Sequence, residues 1–528
     1  MNTFIDIDIE YVIGKKLKCG SFSKVFEVTN KLDNNKYALK LHPFDEKLII
    51  DPIILREIDI LKKINHKNVV KPLKIFFGNF ENKKFFCILM KWYELTLYEY
   101  IIKKKGNELN KKKKNLIFNQ ILDALFYMDQ SGYNHNDLTY LNIMMNEQNP
   151  VLIDFGFSKK IYRSNNFLPT MAIRPIELFN INHYKENDKI DIWALGCIYY
   201  FIFKKKFIAL EETENDQILK IFNKFGFPNN EDVISLNIKN IKCKNKIINF
   251  FKKIMPRDKF LKKMLEYNPK KRASLSELMH SRKIPKENYV YNNLIKLDNY
   301  NNNLSFDQNY LFFFSNFFTD VAKENNSEDE LVLTTLYIFK KFYSLNNNIV
   351  SIINIYALLS FFLVNNIVSD KYFEVDTILL FLKNININLE LHEVVDYINE
   401  ILVQLDWNID PNLSYSLILE IPKFKRNLFK LIIFVCYLYN IFDKYPEKYK
   451  TYLTFLILDE LENKRKFIEK VYYDETILIN IVFDFKNVIL ELKNGLDNKG
   501  IISLNKFCEL IDDDPTTLLS NFFQIVKK

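Results

Sequence analysis

Residues 11–41 alternate apolar and polar side chains in three short runs, YVIGKKL, SKVFEVT and KYALKL, separated by turn residues. A period of two puts every second side chain on one face, so this stretch predicts antiparallel strands. The pattern then changes. DPIILREIDILKKINH places Ile54, Ile58 and Leu61 at i, i+4 and i+7, an amphipathic helix with Pro52 near its start. KKFFCILMKWYEL, residues 83–95, reads as a buried strand running into a connector. Beyond residue 110 the spacing is helical, and NLIFNQILDALFYMDQSG stops at Gly132.

With 528 residues the chain exceeds one ordinary core, so two or three domains are expected. Hydrophobic residues at 48% and charged residues at 26% place it among globular proteins. The excess of Asn, Lys, Ile, Tyr and Phe reads as codon bias, so the Asn runs carry little functional weight. The 10 glycines carry more, because few positions kept one. The net charge of +9 comes from 74 basic and 65 acidic residues interspersed along the chain. The tightest basic run, KKKK at 111–114, reads as a solvated helix start or loop, so no nucleic-acid partner is expected. Six cysteines lie far apart without a CxxC pair, which predicts reduced thiols and a cytoplasmic or nuclear protein. The N-terminus MNTFIDIDIEYVIG is acidic where a secretory signal is basic. The apolar stretch 349–364 falls short of the ~20 residues that span a bilayer, so a buried helix and no membrane partner are expected.

Two polar stretches then give the domain a chemistry. GYNHNDLTYLN, residues 132–142, follows the helical segment, and PVLIDFGFSKK, 150–160, places a short apolar strand before Asp154. HNDLTYLN resembles the HRDLKxxN loop of the protein kinase family, and DFG stands intact at 154–156. YALK matches the strand lysine, Glu57 in REIDIL its helix partner, and RPIE (174–177) the APE segment. DIWALGCI (191–198) matches a later helix whose Asp braces the catalytic loop. LEYNPKKRAS (265–274) supplies an arginine, Arg272, for Glu177. A lone DFG could be chance. Seven motifs in family order over roughly residues 9–285 are not.

The resemblance implies a two-lobed kinase fold using ATP and Mg2+. Asp154 and Asn142 are then the metal ligands, Lys40 the partner of the α- and β-phosphates, and Glu57 the residue that fixes Lys40. Asp137 is the catalytic base. Leu17, Val25, Ala38 and Met144 match the positions that sandwich adenine, Met90 guards the pocket's back, and Lys91 and Trp92 form the connector. Gly20 is what remains of the glycine-rich loop. REIDILKKINHKNVV and GFPNNEDV (226–233) are similar to cyclin-dependent kinases. Thr170 stands where serine/threonine kinases place a threonine that bonds the catalytic Asp, so protein Ser/Thr is the expected substrate.

Three departures shape the expectations. Lys18 and Ser23 replace flanking glycines of the phosphate loop. Thr139 replaces the loop lysine that touches the transferred phosphate, a charged hydrogen bond worth about 1.5–3 kcal/mol. Asn136 replaces the arginine that, with the helix arginine (here Arg56) and one after DFG (here nearest Lys159), would clamp an activation-segment phosphothreonine. Asn165 stands about where that threonine would be, so activation without loop phosphorylation is expected.

After the kinase-like part, an Asn-rich linker is expected at 286–309, a helical domain at 310–422 and a further helical region at 423–528. VLTTLYIFKKFYSLNN, IYALLSFFLVNNIVSDKYF and HEVVDYINEILVQLDWNIDP resemble the second, third and fifth helices of a cyclin box. Asp370 and LVQLDWNI (402–409) fit its patterns, whereas Asn366 and Ile398 stand about where a kinase-contacting Lys and Glu belong. The expectation is an α+β two-lobed kinase fold followed by an all-α, cyclin-like domain acting in cis or replaced by a cyclin-type partner. The alternative is a nucleotide-binding pseudokinase whose helical half is a protein-binding module.

Overall fold

The structure is a computed structural model of the chain. It describes residues 4–19, 23–44, 50–103, 109–160, 168–179, 189–226, 258–284, 329–345, 353–368, 374–384 and 387–407, with a few isolated positions between 314 and 506. The chain divides into two compact units. One holds Asn2–Pro43 with Arg56–Tyr289, and the other Phe44–Leu55 with Val290–Lys528 and Met1.

The first unit begins with β1 (Phe4–Asp6), the one-turn helix α1 (Ile7–Glu10), β2 (Tyr11–Cys19), β3 (Lys24–Asn30) and β4 (Lys36–Pro43). Helix α2 (Pro52–Lys63), which belongs to this unit from Arg56 onward, β5 (Pro72–Phe80) and β6 (Lys83–Lys91) follow. The six strands form one sheet in the order β1-β5-β6-β4-β3-β2. Its ladders are antiparallel except for β1 on β5. The period-two runs explain β2 to β4. β1 is an addition that no alternation in three residues could announce.

Alternation along the strands sorts the side chains into two faces. Leu39, Leu41, Cys87 and Leu89 point to one, where they bury with Ile7, Tyr11, Val28, Phe76 and Phe85. A Cβ on Gly78 would fall 2.8 Å from the Cys87 Sγ and 2.9 Å from Ile7 Cδ1, so a glycine lets α1 lie against β5. The opposite face carries Lys40.

Then come β7 (Leu95–Thr96), α3 (Leu97–Lys103), α4 (Lys111–Gln130), β8 (Tyr133–Asn134), β9 (Ile143–Asn146), β10 (Asn149–Leu152) and β11 (Lys159–Lys160). The lysine run does start a helix: the Asn110 side chain accepts from the Lys113 amide and caps α4. Gly132, at φ 82°, turns the chain out of α4 into β8. Short 3-10 turns at Met171–Ile173 and Ile176–Phe179 lead to α5 (Ile190–Lys204), α6 (Glu214–Phe225), α7 (Lys259–Met264) and α8 (Leu275–Ser281). Helix α5 is buried on every face, from Ile190 to Tyr199 without interruption, which makes it the centre of this helical part.

In the second unit, α9 (Asp329–Leu345), α10 (Ile353–Val368), α11 (Val375–Asn384) and α12 (Leu391–Gln404) are helical. α10 packs against α9, α11 and α12. Its residues 355–366 are buried all round, as the apolar run predicts. Tyr356 on α10 lies 4.5 Å from Phe342, the rings tilted by 35°, and donates a 2.6 Å hydrogen bond to Glu400 of α12. Past α12 the chain turns through Asp406 and Trp407, at φ 48° and 59°, and Trp407 is buried. No helix among the described residues is long and apolar enough to cross a membrane. Asp370, the linker and nearly all of 423–528 lie outside the described residues.

Candidate active site

The loop between β8 and β9 carries Asp137 and Asn142, and its backbone is held from below by one carboxylate. Asp191, at the start of α5, accepts from the amides of His135 at 2.6 Å and Asn136 at 2.8 Å. Burial pushes the Asp191 carboxyl up, an effect opposed by His135 and the two amides. The His135 ring is fixed as well. Nδ1 accepts from the Asp137 amide at 3.4 Å and Nε2 donates to the Ile153 carbonyl at 3.2 Å, which defines the Nε2–H tautomer. The same ring lies 5.0 Å from Phe155.

Asn136 adopts φ 63°, a left-handed conformation that asparagine tolerates better than most residues. Its side-chain amide donates to the Phe157 carbonyl at 3.2 Å, and Ser158 Oγ donates to the His135 carbonyl at 3.0 Å. Loop and DFG segment are thus stitched together. β11, just after that segment, pairs with β8, just before the loop.

The acidic and basic groups converge from four elements. Lys40 Nζ donates to Glu57 Oε1 and Oε2 at 2.6 and 2.8 Å and to Asp154 Oδ1 at 3.0 Å. Burial pulls the Lys40 ammonium pKa down, but the Asp154 and Glu57 carboxylates outweigh it and hold the group above the usual lysine range. Asp154 is left-handed, at φ 66°, a conformation costing of order 1–3 kcal/mol that its surroundings must sustain. Asn142 Nδ2 donates to the Asp137 carbonyl at 2.9 Å and to Oδ2 at 3.0 Å. Thr170 donates to Asp137 Oδ1 from its hydroxyl at 2.7 Å and from its amide at 3.0 Å. Thr139, where a lysine was expected, is used within the loop: its hydroxyl accepts from the amides of Asn142 and Leu141 at 3.1 and 3.3 Å.

Arg272 completes the frame. It forks onto Glu177 at 2.8 and 3.0 Å with both side chains buried. It also donates to the carbonyls of Lys189 and Glu266, and its guanidinium lies 5.2 Å from the Trp193 ring.

The protein kinase domain family matches residues 11–283, just over half of the chain. The chain belongs to the protein kinase family. Over 230 residues it is 30% identical to the serine/threonine-protein kinase ppk23 of Schizosaccharomyces pombe, covering 42% of this chain and 56% of that protein. Over 283 residues it is 26% identical to cyclin-dependent kinase 12 of Caenorhabditis elegans, covering 49% and 39%. A probable cell division protein kinase of Encephalitozoon cuniculi is 27% identical over 277 residues, covering 50% and 86%. The chain therefore spans little more than half of the first relative and less of the second.

In this kinase domain the strand register brings together residues that the sequence resemblance assigned to an adenine pocket. Val25 stands opposite Lys40, Ala38 opposite Met90, and Lys40 opposite Ile88, so these side chains share the sheet face away from the Ile7–Leu89 core. Val25, Ala38, Met90 and Met144 are half-buried, and Leu17 is 39% exposed. Lys91 ends β6 and Trp92 follows it. Gly20 lies outside the described residues, as do residues 161–167 with Asn165.

Two anchors of the segment after Thr170 were not read from the sequence. Gln217 of α6, buried, donates to the Met171 carbonyl at 3.0 Å. Arg174 donates to the Pro169 carbonyl at 3.0 Å and pairs with Glu214 at 2.6 Å. Gln217 had a signal: it stands on the apolar face of α6 with Ile218, Ile221, Phe222 and Phe225.

Proposed function

We propose that the chain is a Mg-ATP-dependent serine/threonine protein kinase, cyclin-dependent-kinase-like, with a cyclin-like regulatory domain in the same polypeptide. The observation that carries this reading is two hydrogen-bonded groups, Lys40 with Glu57 and Asp154 and Asp137 with Asn142 and Thr170, tied together where the Ile153 amide, next to Asp154, donates to the Asn142 carbonyl at 2.9 Å. Phosphoryl transfer needs positioning and charge neutralisation more than covalent help, and these groups are of that kind. Lys40 is charged and held at a fixed point to meet the α- and β-phosphates, with Glu57 setting its place. Asp137, oriented by Thr170 and Asn142, takes the proton of the substrate hydroxyl and aims its oxygen.

The donors fit magnesium. Asp154 and Asn142 offer hard oxygens, and Mg2+ binds through one or two protein ligands plus substrate phosphates rather than a full protein cage. When bound, the metal would neutralise the phosphate oxygens between which charge develops.

Asn136 supports activation without loop phosphorylation, because a neutral amide turned to Phe157 replaces a phosphate-binding fork. For the second unit the cyclin-like reading is supported by helix order: α9, α10 and α12 fall on the segments that resemble cyclin helices two, three and five. α11 stands where a fourth belongs.

The test is transfer from γ-labelled ATP to a degenerate serine/threonine peptide pool, with a tyrosine pool alongside and phosphatase-treated enzyme throughout. Label on Ser/Thr, abolished by EDTA and unchanged by phosphatase treatment, is the expected result. MgATP binding without transfer would favour the pseudokinase reading, which Thr139 supports.

A further inference from the structure

Helix α2 carries a second set of buried charges besides Glu57. Asp59 and Lys63 stand one turn apart, their side chains 5% and 6% exposed, with Lys63 Nζ 2.9 Å from Asp59 Oδ1. Lys63 donates to the Tyr133 hydroxyl at 3.1 Å, and that hydroxyl donates to Asp59 Oδ2 at 3.2 Å. The three groups close a triangle between α2 and β8.

An α-helix turns about 100° per residue, so Asp59 projects about 200° round the axis from Glu57. The helix is therefore gripped on opposite flanks, by Lys40 of β4 at Glu57 and by Tyr133 of β8 at Asp59 and Lys63. Its C-terminal end is tied down separately, where the Asn65 amide donates to the Tyr127 hydroxyl and His66 meets Asp123, both at 3.3 Å. With that end fixed on α4, the freedom left to α2 is rotation and tilt, and the triangle opposes both.

Burying an Asp–Lys pair is costly, and a well-packed apolar pair would hold two elements at least as firmly. What the ion pair and hydroxyl add is a single register. The strand they choose is informative: Tyr133 pairs with Lys160 just after the DFG segment and lies two residues before His135. The geometry points to Asp59, Lys63 and Tyr133 as positioning residues that set the rotation of α2, and through it the hold of Glu57 on Lys40. The inference rests on the kinase reading above only for its rate readout.

Tyr133→Phe removes the hydroxyl and keeps the ring. In the full chain it is expected to lower kcat/KM for ATP about tenfold, and to lower the unfolding midpoint as well because two buried charged groups lose a partner. Asp59→Asn, nearly isosteric, is the second variant should Tyr133→Phe fold poorly. The deciding comparison is made in a Glu57→Gln background. If Tyr133 acts through Glu57, its further loss there is less than about twofold; an independent structural role would repeat the tenfold loss. The rise in unfolding midpoint caused by MgATP reads the same coupling without turnover. It is expected to be smaller in Tyr133→Phe than in wild type, and equal in Glu57→Gln with and without Tyr133→Phe. A chain that binds MgATP but transfers nothing would end the kinase reading and leave the triad to be judged by that shift. Multiplying losses, or two variants as active as wild type, would overturn the triad.

Discussion

Replacing Asp137 with Asn is expected to lower kcat by about 10²–10⁴-fold while MgATP still raises the unfolding midpoint. The geometry shows why so small a change costs so much. One carboxylate oxygen of Asp137 is held by Thr170, and the other accepts from Asn142 Nδ2. An amide at this position can keep the Thr170 contact with its oxygen, but its NH2 then faces the Asn142 NH2, donor against donor. The proton acceptor is lost, and the side chain that orients a proposed metal ligand is pushed aside. On the proposed reading nucleotide affinity would rest chiefly on Lys40, Glu57 and the apolar face of Val25, Ala38 and Met90, none of which has a hydrogen bond to that contact. Labelled-phosphate transfer and thermal shift on the same preparation separate the two effects.

The largest loss of stability is expected from Arg272→Ala. This arginine is buried, forks onto a buried Glu177 and braces two carbonyls, so its removal strands a carboxylate without water. Breaking such a pair costs about 3–5 kcal/mol. For a domain of this size that lowers the unfolding midpoint by on the order of 10 °C. The double variant Arg272→Met with Glu177→Leu should recover much of the loss, because no unpaired charge remains. Denaturant unfolding of the three chains, followed by circular dichroism, checks the ordering.

Much of the catalytic half was legible because its signals are local. Alternation marked β2 to β4, helical spacing beyond residue 110 marked α4, and motif spacing drew attention to Lys40, Glu57, Asp137, Asn142 and Asp154. The structure brings those five together. What the sequence hid is long-range. β1 pairs in parallel with a strand about seventy residues away through three residues, too few for any period to register. Asp59 and Lys63 look like an ordinary i, i+4 surface pair until β8 is seen to cover them. Thr139 reads as a missing charge, and only the folded loop shows its hydroxyl accepting two amides. In the helical unit the segments were visible as apolar runs, but α11 and the link from Tyr356 to Glu400 were not, because neither follows from a run's own spacing.

The most direct trial is a crystal structure of the full chain with magnesium and a non-hydrolysable ATP analogue. The phosphates should lie against Lys40, with a metal about 2.0–2.1 Å from oxygens of Asp154 and Asn142. Asp137 should stand beyond the terminal phosphate, within hydrogen-bond reach of an incoming hydroxyl. Nucleotide bound elsewhere, or bound here with Asp137 turned away from the γ-phosphate, would contradict the account.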